Sequence, residues 1–512
     1  MTIFAMTFMM LMIMMGGIAV DVMRYETRRT SLQNTLDRST LAAASLTQTR
    51  APEVVVNDYF RKAGVLSYLK SVTVTQGLNF RDVTADADAD TNPLFLHLMG
   101  ITSMDAYGIS QAEQRISNVE IMMVLDVSGS MQFNNKLVNL KSAADDFVAT
   151  VLKNDNDHKI SIGMVPFNGQ INLGIKLQAK YNVVSPNGGT NQNCVDLPAS
   201  VYTGLYIDRL TALPMTIAGD TYSSGGSSAS YSNYASYSPY WPNEWCPNMA
   251  GNIVRLPSQT IATLQGYING LTAVGATSIN AGMAWGLSLL DPRSRSIYNE
   301  LIASGDLPAT MTGRPYDFTA KETMKVIVLM TDGENFAEDR VNDIYKSGSS
   351  PIFKSSVDGN YSVFQPTGHA APNQYYVPHL GTWQAVPWSN STNSGVFVVQ
   401  TWPQVWNALR VQYVAAQFYA RPLGQSAFTW IATFRAQTAT TTMDTQMQAM
   451  CTQAKADGVI IYGIAFEATP IGQTQISTCA TSAAHYFNAS GIQISTAFAA
   501  IANNISQLRL TQ

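Results

Sequence analysis

Asp126, Ser128 and Ser130 alternate along the chain directly after an apolar run, in Val124-Leu125-Asp126-Val127-Ser128-Gly129-Ser130-Met131. Their oxygens are hard donors, suited to magnesium, manganese or calcium and not to zinc. A turn at the end of a strand brings all three toward one point, and Gly129 allows the backbone to approach closely there. Two later segments carry compatible oxygens. Thr277, in Gly275-Ala276-Thr277, precedes a helical pattern, and Asp332, in Thr331-Asp332-Gly333, follows the apolar run 326–330. Each piece alone is weak, because Asp-x-Ser-x-Ser arises by chance and Asp-Gly is a common turn. In order on three successive strand ends they predict a single divalent-cation site, with magnesium first and manganese or calcium as alternatives.

Other chemistry finds less support. The chain has five histidines, and no His–Cys or Ser–His–Asp arrangement stands out. His485 falls in an expected strand, where a structural role is the plainer reading. The hydroxyls of Ser128 and Ser130 have no neighbouring base to activate them, and the phosphate-binding pattern Gly-x-x-x-x-Gly-Lys-[Ser/Thr] does not occur. The run Asp86-Ala87-Asp88-Ala89-Asp90 invites a calcium-loop reading. An EF-hand loop needs Gly at its sixth position and Glu at its twelfth; Thr91 and His97 stand there instead. An exposed polar strand or turn is expected. A net charge of −4 without a long basic run argues against a nucleic-acid partner. The expectation is a binding protein, not an enzyme.

The elements that must position the oxygens follow from periodicity. Strands are expected at 119–125, 160–167, 325–330 and 459–466. Helices are expected at 136–152, 258–270, 279–290, 444–457 and 495–508. Continuous apolar strands between helices indicate an α/β domain with a mostly parallel sheet buried on both faces, and ligands in such sheets sit at the carboxyl ends of strands. This domain is placed at 117–512. Two stretches interrupt its rhythm, at about 178–257, rich in Ser, Tyr, Asn, Gly and Pro, and at about 336–440, which carries most of the tryptophans. Both are too long for simple connections and are read as insertions.

Ahead of it, residues 2–20 carry no charge, and the first is Asp21. About 20 apolar residues cross a bilayer core, so 1–22 is read as a transmembrane anchor. A signal peptide is the rival, but the basic start and small-residue cleavage site are missing. A charged amphipathic helix follows at 23–51, ending at Pro52, and a strand-containing stalk at 52–116. Four arginines (Arg24, Arg28, Arg29, Arg38) lie after the span and none before it, which alone places the large domain in the cytoplasm. The cysteines and the low charge, 13% of residues, argue for export. A natural start upstream of Met1, supplying basic residues, would reconcile the two. Cys194, Cys246, Cys451 and Cys479 include no Cys-x-x-Cys pair; they suit either two disulfides in an oxidising compartment, with local pairing 194–246 and 451–479 expected, or four buried thiols.

The segment 124–131, with Thr277 and Asp332, resembles the metal-ion-dependent adhesion site of a von Willebrand factor A domain. That resemblance implies a doubly wound, Rossmann-like sheet and a cation held by Asp126, Ser128, Ser130, Thr277 and Asp332, partly through water. An acidic group of a protein partner then completes the coordination. The N-terminal Gly16-Gly17-Ile18-Ala19-Val20-Asp21, Leu32-Gln33-Asn34-Thr35-Leu36-Asp37 and Leu41-Ala42-Ala43-Ala44 are similar to TadE/TadG-like proteins of the bacterial tight-adherence (Flp) pilus system. Together the resemblances imply a single-pass inner-membrane protein with its large domain in the periplasm or at the cell surface, acting in pilus assembly or adhesion. The alternative is a von Willebrand A partner of an ATPase or other envelope complex, with a purely structural metal.

Overall fold

The structure, a computed structural model, describes residues 2–46, 48–76, 80–115, 118–153, 155, 157–184, 193–216, 246, 249–320, 323–409 and 411–506. Contacts divide the chain into one unit of Met1–Ser117 with Asn503–Gln512 and another of Asn118–Ala502.

In the first unit Thr2–Ala44 is one helix of 43 residues. Among the described residues it is the one helix long and apolar enough to cross a membrane. Past the apolar part its buried stripe, Leu32, Leu36, Ala43 and Ala44, packs with Val55, Val56 and Phe60 and with Val83, Ala85, Ala87, Ala89 and Ala106. The last five line a three-stranded antiparallel sheet, Leu69–Gln76, Phe80–Thr91 and Met104–Arg115 in sequential order. Period-two alternation turns the alanines of Phe80–Thr91 inward and Asp82, Asp86 and Asp88 to the other face. The Asp-Ala repeat is therefore a strand. Pro52 corrects the reading of it as a stop: it opens a second helix, Pro52–Lys62. Proline's fixed φ and missing N–H suit a first helical turn, and Val55, Val56 and Phe60 supply the buried face.

The second unit is built on a six-stranded sheet, in the order Tyr486–Ala489, Ile460–Phe466, Thr323–Thr331, Asn118–Asp126, Ile160–Phe167 and Arg255–Ser258. The first five are parallel, and the last runs antiparallel to its neighbour. That edge strand falls inside the stretch read as an insertion, because four residues containing Pro257 carry no apolar run; an edge is where a sheet tolerates proline. Met122, Val124, Val165, Phe167, Ile327, Leu329 and Ile461 share a core with helices Ile279–Leu290 and Thr440–Ala456. Their alternates Ile121, Met123, Leu125, Val326, Val328 and Met330 are buried too, so both faces of the sheet are covered. Gly282 and Gly286 let the Ile279–Leu290 helix lie on the strands, since a Cβ at either would meet Val124 within 3.1 Å.

Most of the 336–440 stretch folds around its own core. Glu338–Val341 pairs with Arg435–Thr438 at its neck. Beyond the neck an antiparallel sheet runs in the order Thr382–Gln384, Tyr375–Val377, Tyr361–Phe364, Ser349–Ser355, Phe397–Thr401, with Trp402, Trp406, Phe418 and Phe434 among its buried aromatics. In the 178–257 stretch the Ser-Gly-rich run 222–228 lies outside the described residues. Cys194 is bonded to Cys246 and Cys451 to Cys479, with Cα–Cα distances of 5.8 and 5.2 Å. Local pairing holds, and no cysteine is free. His485 sits in the turn Ala483–His485 ahead of the last strand, not within it; its ring packs on Tyr462 and its Nδ1 lies 2.8 Å from Ser482 Oγ.

Candidate metal centre

Asp126 ends the central strand Asn118–Asp126, whose last eight residues are all buried, and so stands at the sheet's carboxyl edge. The turn Gly129–Gln132 follows at once. Asp126 Oδ1 accepts the Ser128 N–H at 2.7 Å, which folds the loop back over the strand end. Ser128 Oγ and Ser130 Oγ lie 3.0 Å apart, and Ser130 Oγ donates to Asp332 Oδ1 at 2.7 Å. Asp332 follows the neighbouring strand Thr323–Thr331, paired in register with Asn118–Asp126. Two carboxylates and two hydroxyls thus converge at one sheet edge.

The loop bearing Thr277 is laced to the first through its backbone. Val274 N–H donates to Val127 O at 2.8 Å and Gly129 N–H to Gly275 O at 2.9 Å. Gly129 eases that crossing, since a Cβ would stand 3.1 Å from Gly275 O, a tight contact. Thr277 is buried, and its carbonyl accepts from Phe336 N–H at 2.8 Å, which ties in the Asp332 loop as well.

Three neighbours escaped the sequence reading. Thr331 Oγ1 donates to Asp126 Oδ2 at 2.6 Å. Lys136 Nζ lies 3.0 Å from Asp332 Oδ2 and 3.9 Å from Glu467 Oε2. Lys136 opens helix Lys136–Leu152, where a cation opposes the helix dipole. One signal for it existed: Lys136 stands four residues before buried Leu140, on the helix's inward stripe.

The electrostatics favour a cation. Burial, then the Asp332 carboxylate, push the Asp126 carboxyl up to about 7. The buried carboxyls Asp126 and Asp332, with the partly exposed Glu467 beyond them, face one lysine, Lys136. Two buried carboxyls this close need a proton or a cation between them. Among the described residues no group of three or more His, Cys, Asp or Glu side chains gathers as a metal site; the donor set here is of hydroxyls and carboxylates, which suits a hard ion.

Residues 1–46 match the family model described as putative Flp pilus-assembly TadE/G-like. No curated protein matches the chain. Similar solved structures include the von Willebrand factor domain of the type V pili tip protein Mfa5 from Porphyromonas gingivalis, at 13% identity and TM-score 0.30, covering 76% of this chain and 95% of that one. The adhesive tip pilin GBS104 from Group B Streptococcus agalactiae has 11% identity and TM-score 0.30, covering 76% and 100%. Proximal thread matrix protein 1 from the mussel byssus, with a zinc-occupied metal-ion-dependent adhesion site, has 12% identity and TM-score 0.27, covering 76% and 46%.

Proposed function

We propose that the chain is a single-pass protein of the bacterial inner membrane that binds a protein partner through one divalent cation, in tight-adherence pilus assembly or surface adhesion. In this reading 1–22 is the anchor, 23–51 and 52–116 form the stalk, and 117–512 is a von Willebrand A domain with a doubly wound sheet, facing the periplasm or cell surface. The observation that carries it is the meeting of Asp126, Ser128, Ser130 and Asp332 at one sheet edge, with the Thr277 loop hydrogen-bonded to both of theirs. Asp126, Ser128, Ser130, Thr277 and Asp332 would hold Mg²⁺, or Mn²⁺ or Ca²⁺ in its place. The cation supplies a Lewis-acidic point that an acidic group of the partner bonds. The chain's own part is recognition, not turnover: the serine loop and the Asp332 loop fix where that group docks. The disulfides suit the oxidising side of the membrane.

Lys136 on Asp332 favours a second reading, a cation that only fixes three loops. Strains producing Thr277→Ala or Asp126→Ala protein separate the two. Surface attachment and pilus production should fall while each variant still reaches the membrane. Normal pili and adherence from stable variants would refute partner binding through the metal.

A further inference from the structure

Asp21, at the end of the apolar part of the Thr2–Ala44 helix, is buried and accepts three backbone N–H groups from a single segment. Leu94 donates to Oδ1 at 2.8 Å; Phe95 and Leu96 donate to Oδ2 at 2.7 and 2.8 Å. One turn earlier, Gly17 lies under the Phe95 ring, and a Cβ there would stand 2.3 Å from it. Gly17 and Asp21 share one helix face, so a bare patch and an anion together clamp the segment 94–101 against the helix.

The clamped segment is apolar and turned outward. Leu94, Leu98, Met99 and Ile101 are 61%, 72%, 57% and 43% exposed. Its turn Leu96–Met99 runs beside the apolar helix, not away from it: Phe95, Leu98 and Met99 line one cavity of about 410 Å³ with Met6, Met9, Met10, Ile13, Met14 and Ile18. The exposed apolar surface of the segment is thus continuous with that of the helix. Backbone outside regular structure enters a low-dielectric medium only if its polar groups are satisfied internally. Here the N–H groups of 94, 95 and 96 go to Asp21, and those of Leu98, Gly100 and Ile101 go to carbonyls of Phe95, His97 and Leu96. His97, also exposed, suits the boundary between headgroups and acyl chains better than the hydrocarbon centre.

We propose that the segment 94–101 is a second membrane-contacting element, a wedge seated in the acyl–headgroup boundary of one leaflet beside the helix and held there by Gly17 and Asp21. The occupant of its apolar face is lipid. This rests on the reading of 1–22 as a membrane anchor. Two attachment points would fix the helix's tilt and rotation, where a lone helix turns freely.

The test uses the full chain in phosphatidylethanolamine–phosphatidylglycerol vesicles, labelled with an environment-sensitive fluorophore at one introduced cysteine, Leu98→Cys, Met10→Cys or Tyr59→Cys. The native cysteines are paired. Leu98→Cys should be quenched by nitroxide-bearing acyl chains as strongly as Met10→Cys, and Tyr59→Cys only by aqueous iodide. Adding Asp21→Asn, which removes the charge the three N–H groups share, or Gly17→Ala should move the Leu98 signal toward that of Tyr59 and leave Met10 unchanged. Iodide quenching at Leu98 with lipid quenching at Met10 overturns the wedge and keeps the anchor. Iodide quenching at both overturns the anchor and the wedge with it. Shielding of Leu98 from both quenchers means that protein covers it, which also overturns the proposal.

Discussion

If Asp126 is a cation ligand, the cation must displace a proton, and its affinity must fall steeply in mild acid. The Asp126 carboxyl sits at about 7 against an ordinary 3.8, through burial first and Asp332 second. Coordination needs the carboxylate form. With a pKa of about 7, the ionised fraction drops from about three-quarters at pH 7.5 to about three per cent at pH 5.5, so the apparent affinity for Mg²⁺ should fall about 25-fold, close to 2 kcal/mol. Titration calorimetry on the full chain in detergent, in buffers of differing ionisation enthalpy, reads both the affinity and the proton: close to one should be released per cation at pH 6. The sign for stability is opposite to that of an ordinary paired aspartate. The cation-free fold binds one more proton than the unfolded chain between about pH 4 and 7, so its stability falls as pH rises through that window. Mg²⁺ should therefore raise the melting temperature at pH 8 and leave it almost unchanged at pH 5. An affinity flat from pH 5.5 to 7.5, with no proton released, would remove Asp126 from the coordination sphere.

Lys136→Met leaves the buried Asp332 carboxylate without its cation. The cation-free protein should lose about 3 kcal/mol in urea unfolding at pH 8, and millimolar Mg²⁺ should restore more stability than it gives wild type. Replacing both Cys451 and Cys479 by Ser frees a loop spanning 28 residues, which should cost about 3–4 kcal/mol on the chain-entropy account; the remaining 194–246 bond should still appear in non-reducing peptide maps. Glu120→Gln removes the anion shared by Arg314 and Lys325, all three nearly inaccessible. Two buried cations then remain unpaired, and a loss of about 3–5 kcal/mol is expected in the same unfolding assay.

The parts of the fold that sequence reveals are those where one residue class persists. Val326-Ile327-Val328-Leu329-Met330 is buried on both sides and reads as a parallel core strand without any knowledge of its neighbours. Where such a run stops at Asp126 or Asp332, the place of a candidate site carboxylate is visible too, because the strand's end and the carboxylate are adjacent in the chain. The sheet beyond the Glu338–Val341 neck was invisible for the converse reason. Its strands span three to seven residues, and Ser349–Ser355 finds Phe397–Thr401 across some forty intervening residues. Lys136 failed differently. Its helix was expected to start there, and the inward stripe through Leu140, Ala144 and Phe147 includes it, yet a lysine in a first turn reads as surface. Its partners Asp332 and Glu467, both distant in sequence, make its burial tolerable. Glu120 belongs to the same class: a charge one residue inside an apolar strand has physical sense only once Arg314 and Lys325 are seen to meet it. Paired charges brought in from far along the chain, more than apolar periodicity, are therefore what a single sequence withholds. At this sheet edge both kinds of information meet: the Asp126–Asp332 pair is legible from the two strand ends, while the Lys136 ammonium that offsets its charge is not.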